Sequence, residues 1–240
     1  YGWNMGYRYI AILQFFLTLI IFCSLPLWKK RAAQTQTADD AADAGRALSL
    51  KEIVRIPGAK DVMVTFFCYC AVEQTAMLWA SSYLALGRGV SAEAAAGYAS
   101  LFFIGITVGR ALNGFLTMRF SDAQMIRAGQ ALVALGAAML LLPMGTGAAL
   151  AGLVVIGLGC APIYPCIIHS TPERFGADRS QALIGVQMAS AYVGTLAMPP
   201  LFGLIANHIS IGLFPIFLLV VLAAMALMPE RLVRKTRTKA

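Results

Sequence analysis

Apolar residues run almost without interruption for about twenty positions at a time along most of the chain, and short clusters of charged or turn-forming residues separate the runs. A hydrocarbon layer about 30 Å thick is crossed by about 20 helical residues rising about 1.5 Å each. The pattern therefore predicts an all-α, polytopic membrane protein with seven spans, near Tyr9–Leu27, Val62–Leu86, Ala92–Met118, Met125–Leu142, Ala148–Ser170, Ala182–His208 and Gly212–Met228. Connections such as Gly145-Thr-Gly147 and Asn207 to Gly212 are short, so consecutive spans form antiparallel hairpins. Trp28 to Arg55 is the one long polar stretch, flexible by composition. Within it, Ser49 with Glu52 three residues on is a capping-box pattern, and Pro57-Gly58 terminates the helix it would start, which predicts a short interfacial helix. The expected organisation is a first helix over 1–28, a cytoplasmic central loop over 29–58, a six-helix bundle over 59–229 and a basic cytoplasmic tail over 230–240.

Composition agrees. Of 240 residues 59% are hydrophobic and 12% charged, against about 45–50% and about 25% in soluble chains. That excludes a water-exposed enzyme domain and a disordered chain. The net charge of +8 would suit a nucleic-acid binder, but its placement points elsewhere. Sixteen Lys and Arg residues fall on the side of the central loop and only Arg8 and Arg88 on the other, with Arg110 left inside a span. By the positive-inside rule the central loop and the C-terminus are cytoplasmic, and the chain is expected as a multi-pass protein of the inner (plasma) membrane. The chain starts at Tyr1 in what reads as a loop entering a helix, without a signal-peptide layout, so it is expected to lack the N-terminal half of a larger protein. Five cysteines, all within apolar runs, argue against a disulfide framework and read as small packing residues.

The run Gly157-Leu-Gly-Cys-Ala-Pro-Ile-Tyr-Pro165, with Thr171-Pro-Glu-Arg-Phe-Gly176 after it, resembles the tenth helix and following loop of major facilitator superfamily transporters, in particular the fucose-permease-like sugar transporter branch. Gln187, Gly194, Pro199 and Gly203 resemble the eleventh helix of that branch, Tyr69, Glu73, Trp79 and Tyr83 its seventh, and Gly109-Arg110 with Gly114 and Arg119 its eighth. The resemblance implies helices six to twelve of a twelve-helix fold. One position departs from it: Met118 stands where the loop after the eighth helix often carries an Asp, with Asp122 as the nearest substitute.

An ionised side chain near the bilayer centre costs about 2.5–3.5 kcal/mol on insertion scales and is a functional candidate for that reason. Glu73 lies eleven residues past Val62, near the midplane, with Tyr69 one turn before it and Gln74 and Trp79 to either side. Such a stripe suits hydrogen bonding to and stacking on a polar ligand. Arg110 lies nine residues before Arg119, and Asn113 and Thr117 continue its face. Arg110 sits about 7 to 8 Å deeper than Glu73, measured from the turn between their helices, and side chains lean toward their own N-termini, which on antiparallel helices closes that gap. Snorkelling of Arg110 to the headgroups is the alternative. Gln187 is a candidate neutral ligand, and the proline pairs Pro162/Pro165 and Pro199/Pro200 free carbonyls to line a cavity.

The expected substrate-binding set is thus Tyr69, Glu73, Gln74, Trp79, Asn113 and Gln187, with Glu73 and Arg110 as the coupling pair. No metal is expected at Cys166 and His169, which have no carboxylate nearby in sequence, and no cofactor is expected. The resulting expectation is a secondary transporter of a small polar solute, a sugar as candidate, with a proton as candidate co-substrate and the bilayer and an absent N-terminal half as partners. A seven-helix receptor, an intramembrane enzyme and a drug or organic-acid exporter of the same superfamily are the competing classes. Against the receptor stand the absence of an intramembrane Lys and of an outer cysteine pair; against the enzyme, His169 and His208 lie near opposite membrane faces.

Overall fold

A computed structural model describes residues 3–35, 49–143 and 145–237. The chain divides into two compact units, residues 1–47 and 48–240. In the first, α1 (Trp3–Thr35) contains Pro26 and carries an apolar stretch, Met5–Pro26, long enough to cross a membrane. It continues past the span end expected at Leu27, since the Lys, Arg, Ala and Gln residues up to Gln34 are good helix formers. Residues 36–48 of the expected central loop, and 238–240 of the tail, lie outside the described residues.

The second unit contains α2 (Leu50–Arg55), α3 (Ala59–Ser82) extended by a π-helical turn at Tyr83–Gly87, α4 (Ala92–Leu116), α5 (Asp122–Leu141), α6 (Gly145–Phe175), α7 (Ala177–His208), a 3-10 turn at Ile211–Leu213 and α8 (Phe214–Arg237). Regular structure is entirely helical among the described residues, and seven helices in the two units have spanning length and composition. The expected capping box forms: the Ser49 N–H donates to Glu52 Oε2 at 2.8 Å, and the Glu52 N–H to Ser49 Oγ at 3.4 Å. Ile53 then anchors α2 by burial against Ala59 and Leu183.

The six long helices of this unit form two interleaved triplets. The first helix of each triplet, α3 or α6, packs against the second and third helices of the other. Without a hydrophobic force between helices in lipid, close packing must come from small residues. Gly105 and Gly109 of α4 lie against Val154, Gly157, Leu158 and Ala161 of α6, and Gly129 and Gly136 of α5 lie against Gly159 and Gly152. The glycines set out by the sequence are therefore where backbones meet.

At one end of the bundle the π turn brings Arg88 over α5. Its guanidinium donates to the carbonyls of Leu140 and, at 3.0 Å, Leu142, while Tyr83 donates to the Leu140 carbonyl at 2.7 Å. These are carbonyls at a helix C-terminus that has no further turn to satisfy them. At the other end the structure corrects an expectation. Thr171 to Phe175, expected as loop, is the last part of α6, and the helix stops only at Gly176, whose φ is 89°. Pro172 removes a single backbone donor three residues before the helix ends, and the hydroxyls of Ser170 and Thr171 both donate to the Ile167 carbonyl in the turn before it.

Candidate functional site

Glu73 projects from the middle of α3 and Arg110 from α4, and the two meet: Arg110 Nη2 lies 3.9 Å from Glu73 Oε1. The opposed lean of the side chains on antiparallel helices does bring the cation to the carboxylate. At this separation the two are an ion pair rather than a hydrogen bond. Their surroundings differ. The Glu73 side chain is 15% exposed and that of Arg110 62% exposed, so the carboxylate sits in the helix packing while the guanidinium stands at the open face. Tyr69, one turn before Glu73 on α3, is fully buried.

Beside this pair a cleft of about 400 Å³ is lined by Arg110, Asn113, Gly114, Tyr164 and Pro165. Asn113 is buried, and its Oδ1 has no hydrogen-bond partner among the described residues. A buried amide oxygen normally has one, so its position on the cleft wall marks a place where a polar ligand gains a contact. The opposite wall is aromatic: Tyr164 lies 5.1 Å from Phe66 and 6.2 Å from Tyr69, centroid to centroid. The Tyr164 hydroxyl reaches Met188 Sδ of α7 at 3.4 Å. The cleft thus combines a cation, an unpaired acceptor and the Tyr164 ring, with the Glu73 carboxylate 3.9 Å from that cation, which suits a small ligand with several hydroxyls or opposite charges. Tyr164 was missed as a site residue. The only signal for Tyr164 was its place between the two prolines of α6.

The other candidates lie elsewhere. Gln74 is half-buried on α3. Trp79 holds the proline-containing part of α7: its indole N–H donates to the Pro199 carbonyl at 3.1 Å, and its ring stands edge-on to Phe202 at 5.3 Å. Gln187 is fully buried, and its amide donates to Thr171 Oγ1 of α6 at 3.2 Å. It does not line the cleft. Gln187→Ala is accordingly expected to lower stability by about 1–3 kcal/mol through a lost buried hydrogen bond and a cavity, with ligand affinity little changed. Thermal melting and ligand titration of one preparation check this; unchanged melting with weakened affinity would return Gln187 to the site. Asp122, the nearest substitute for the acid absent at Met118, pairs with His169 of α6 at 2.7 Å.

Residues 62–240 match the family model of the Major Facilitator Superfamily. The chain belongs to this superfamily. Membership implies a transporter fold. No curated protein sequence matches the chain. Among solved structures it is similar to the superfamily transporter FucP in its outward conformation, with TM-score 0.64 and 18% identity over 80% of this chain and 47% of that one. A point variant of the E. coli fucose:proton symporter matches with TM-score 0.60 and 18% identity over 78% and 46% of the two chains. A peptide transporter of the POT family in complex with alafosfalin matches with TM-score 0.64 and 16% identity over 82% and 42%. The chain spans less than half the length of these structures, and the likeness is one of superfamily fold.

Proposed function

We propose that this superfamily member takes part in secondary active transport of a small polar solute, with a sugar as the first candidate, driven by a proton. The observation that carries the reading is the Glu73–Arg110 ion pair beside a cleft with an unpaired Asn113 acceptor and the Tyr164 ring. Tyr69, Glu73, Asn113, Tyr164 and Arg110 contact solute in this reading, with Gln74 at its edge and Trp79 supporting α7. Glu73 carries the proton: protonated, it releases Arg110; ionised, it holds it. The exchange between these partners biases the bundle between conformations in which the cleft faces one side or the other of the membrane. A second half of the transporter completes the cavity. Basic residues gathered on one side support a cytoplasmic C-terminus in the plasma membrane.

The opposite charges of Glu73 and Arg110 also favour a second reading, a zwitterionic solute such as a short peptide, whose ends they complement. Proteoliposomes holding the full-length protein separate the two. Under an inward proton gradient, labelled L-fucose is expected to accumulate above its outside concentration and to leak out on adding a protonophore. Accumulation of dialanine in its place would move the substrate class. Uptake of either that ignores the gradient would remove the proton.

A further inference from the structure

A second titratable cluster lies along the same groove. Where Gly105 and Gly109 stop, the close approach of α4 to α6 stops too: a Cβ on Gly109 would meet α6, while one on Gly114 meets nothing within 4 Å. Below that point the helices part around two clefts in succession. The first is the cleft at Arg110, Asn113 and Tyr164. The second, of about 320 Å³, is lined by Thr117, Ser121 and Asp122 on one side and His169, Ser170 and Glu173 on the other. Asn113 and Thr117 are one helical turn apart, and the Thr117 hydroxyl donates to the Asn113 carbonyl at 3.0 Å, so one polar stripe joins both.

At the end of that stripe His169 Nδ1 meets Asp122 Oδ2 at 2.7 Å. The Asp122 side chain is 15% exposed and that of His169 74% exposed. A carboxylate at Nδ1 fixes the tautomer with Nδ1 as donor and leaves Nε2 to exchange protons with water. Glu173 and Arg174 face the same cleft. Arg110 and Asn113 lie toward Glu73.

We propose that the Asp122–His169 pair is a proton-collecting site at the mouth of a water-filled path along the α4–α6 groove that loads and unloads Glu73. The idea rests on the reading of Glu73 as the coupling carboxylate and adds the route by which its proton travels. On acidification of this side His169 Nε2 takes a proton from hydronium, the Asp122 carboxylate stabilises the resulting imidazolium, and the proton leaves through waters past Thr117 and Asn113 to a Glu73 carboxylate oxygen; under an inward gradient the same steps run in reverse and release it. His169 returns to neutral, and no other bond changes. The imidazole collects because it stands exposed with Nε2 open to water, and the half-buried Asp122 holds the ring at the mouth. Arg110, beside Glu73, keeps hydronium from residing in the path and makes the carboxylate the endpoint.

The test is a pH jump on the full-length purified protein, followed by time-resolved infrared absorption of protonated carboxyl groups, with the proton itself as probe. Glu73→Gln identifies the Glu73 band by its loss. His169→Gln keeps an amide donor for Asp122 but carries no proton, so the band is expected to rise about tenfold or more slowly. Millimolar imidazole in the buffer is expected to restore the rate. A structural role for His169 predicts neither the slowing in the Gln variant nor the rescue. If Glu73→Gln removes no band, the coupling reading falls and takes this one with it. If the band is lost there while His169→Gln loads Glu73 at the wild-type rate, only the collecting site is overturned. Slowing without imidazole rescue overturns it as well, and thermal melting of His169→Gln shows whether such slowing comes from damage to the fold.

Discussion

Glu73→Gln is expected to abolish uphill accumulation while leaving exchange of labelled for unlabelled solute across the membrane intact. Gln keeps the size and hydrogen-bonding capacity but has no proton to give, so only the step linking solute to the gradient is lost. The effect has a scale. For one proton per solute, a gradient of one pH unit is worth about 1.4 kcal/mol, or about tenfold accumulation, and the variant should settle at a ratio of about one. Arg110→Ala should also impair transport, since it leaves a carboxylate within the packing without its cation. With both changed, the uncompensated charge is gone, and the combined loss should fall short of the two single losses added together by about 0.5–3 kcal/mol in transition free energy. Measured ratios in proteoliposomes under imposed gradients decide the matter. A Glu73→Gln protein that accumulates solute normally at every pH ends the coupling role, and strict additivity ends the pair.

The helices were legible because lipid leaves a backbone almost no alternative: an apolar run of spanning length must satisfy its hydrogen bonds within itself, so length and hydropathy suffice. The meeting of Glu73 and Arg110 was legible for a related reason. A short turn fixes antiparallel neighbours, and the lean of side chains along a helix then fixes which depths meet. Gln187 and Trp79 were harder. Their positions along their helices could be read, but the face each presents depends on how α7 rotates against α3 and α6, and that is decided by Phe67 opposite Gly194 and by Trp79 opposite Gly203. Such contacts carry no periodicity. Tyr164 was hidden by its setting, because prolines on both sides read as a break when the helix in fact runs through them to Phe175. The Asp122–His169 pair joins residues 47 positions apart on α5 and α6, a distance over which no sequence pattern reaches.

The glycines at the crossing of α4 and α6 give the largest expected effect on stability. A methyl on Gly157 meets the Phe102 carbonyl oxygen under 3.0 Å, and one on Gly105 meets the Val154 carbonyl. Backbone cannot swing aside as a side chain can, so the helices must move apart and surrender their contact along several turns. Gly157→Ala should cost about 1–3 kcal/mol or more, which a thermal melt in mild detergent reads directly. Gly97, also within α4, has open space around its Cβ, and Gly97→Ala should be neutral or stabilise by about 0.5–1 kcal/mol because alanine favours the helix. Gly109 supplies the sharper comparison. Its nearest obstacle is the Ala161 Cβ, a side chain that can be removed, with the Leu158 carbonyl next at 3.1 Å. Gly109→Ala should therefore destabilise, and adding Ala161→Gly should restore part of the loss. Gly157→Ala has no such remedy, because its obstacle is a carbonyl that every residue at position 102 carries. If Gly157→Ala and Gly97→Ala melt alike, or if Ala161→Gly fails to rescue Gly109→Ala, then the crossing of α4 and α6 does not depend on bare backbone contact.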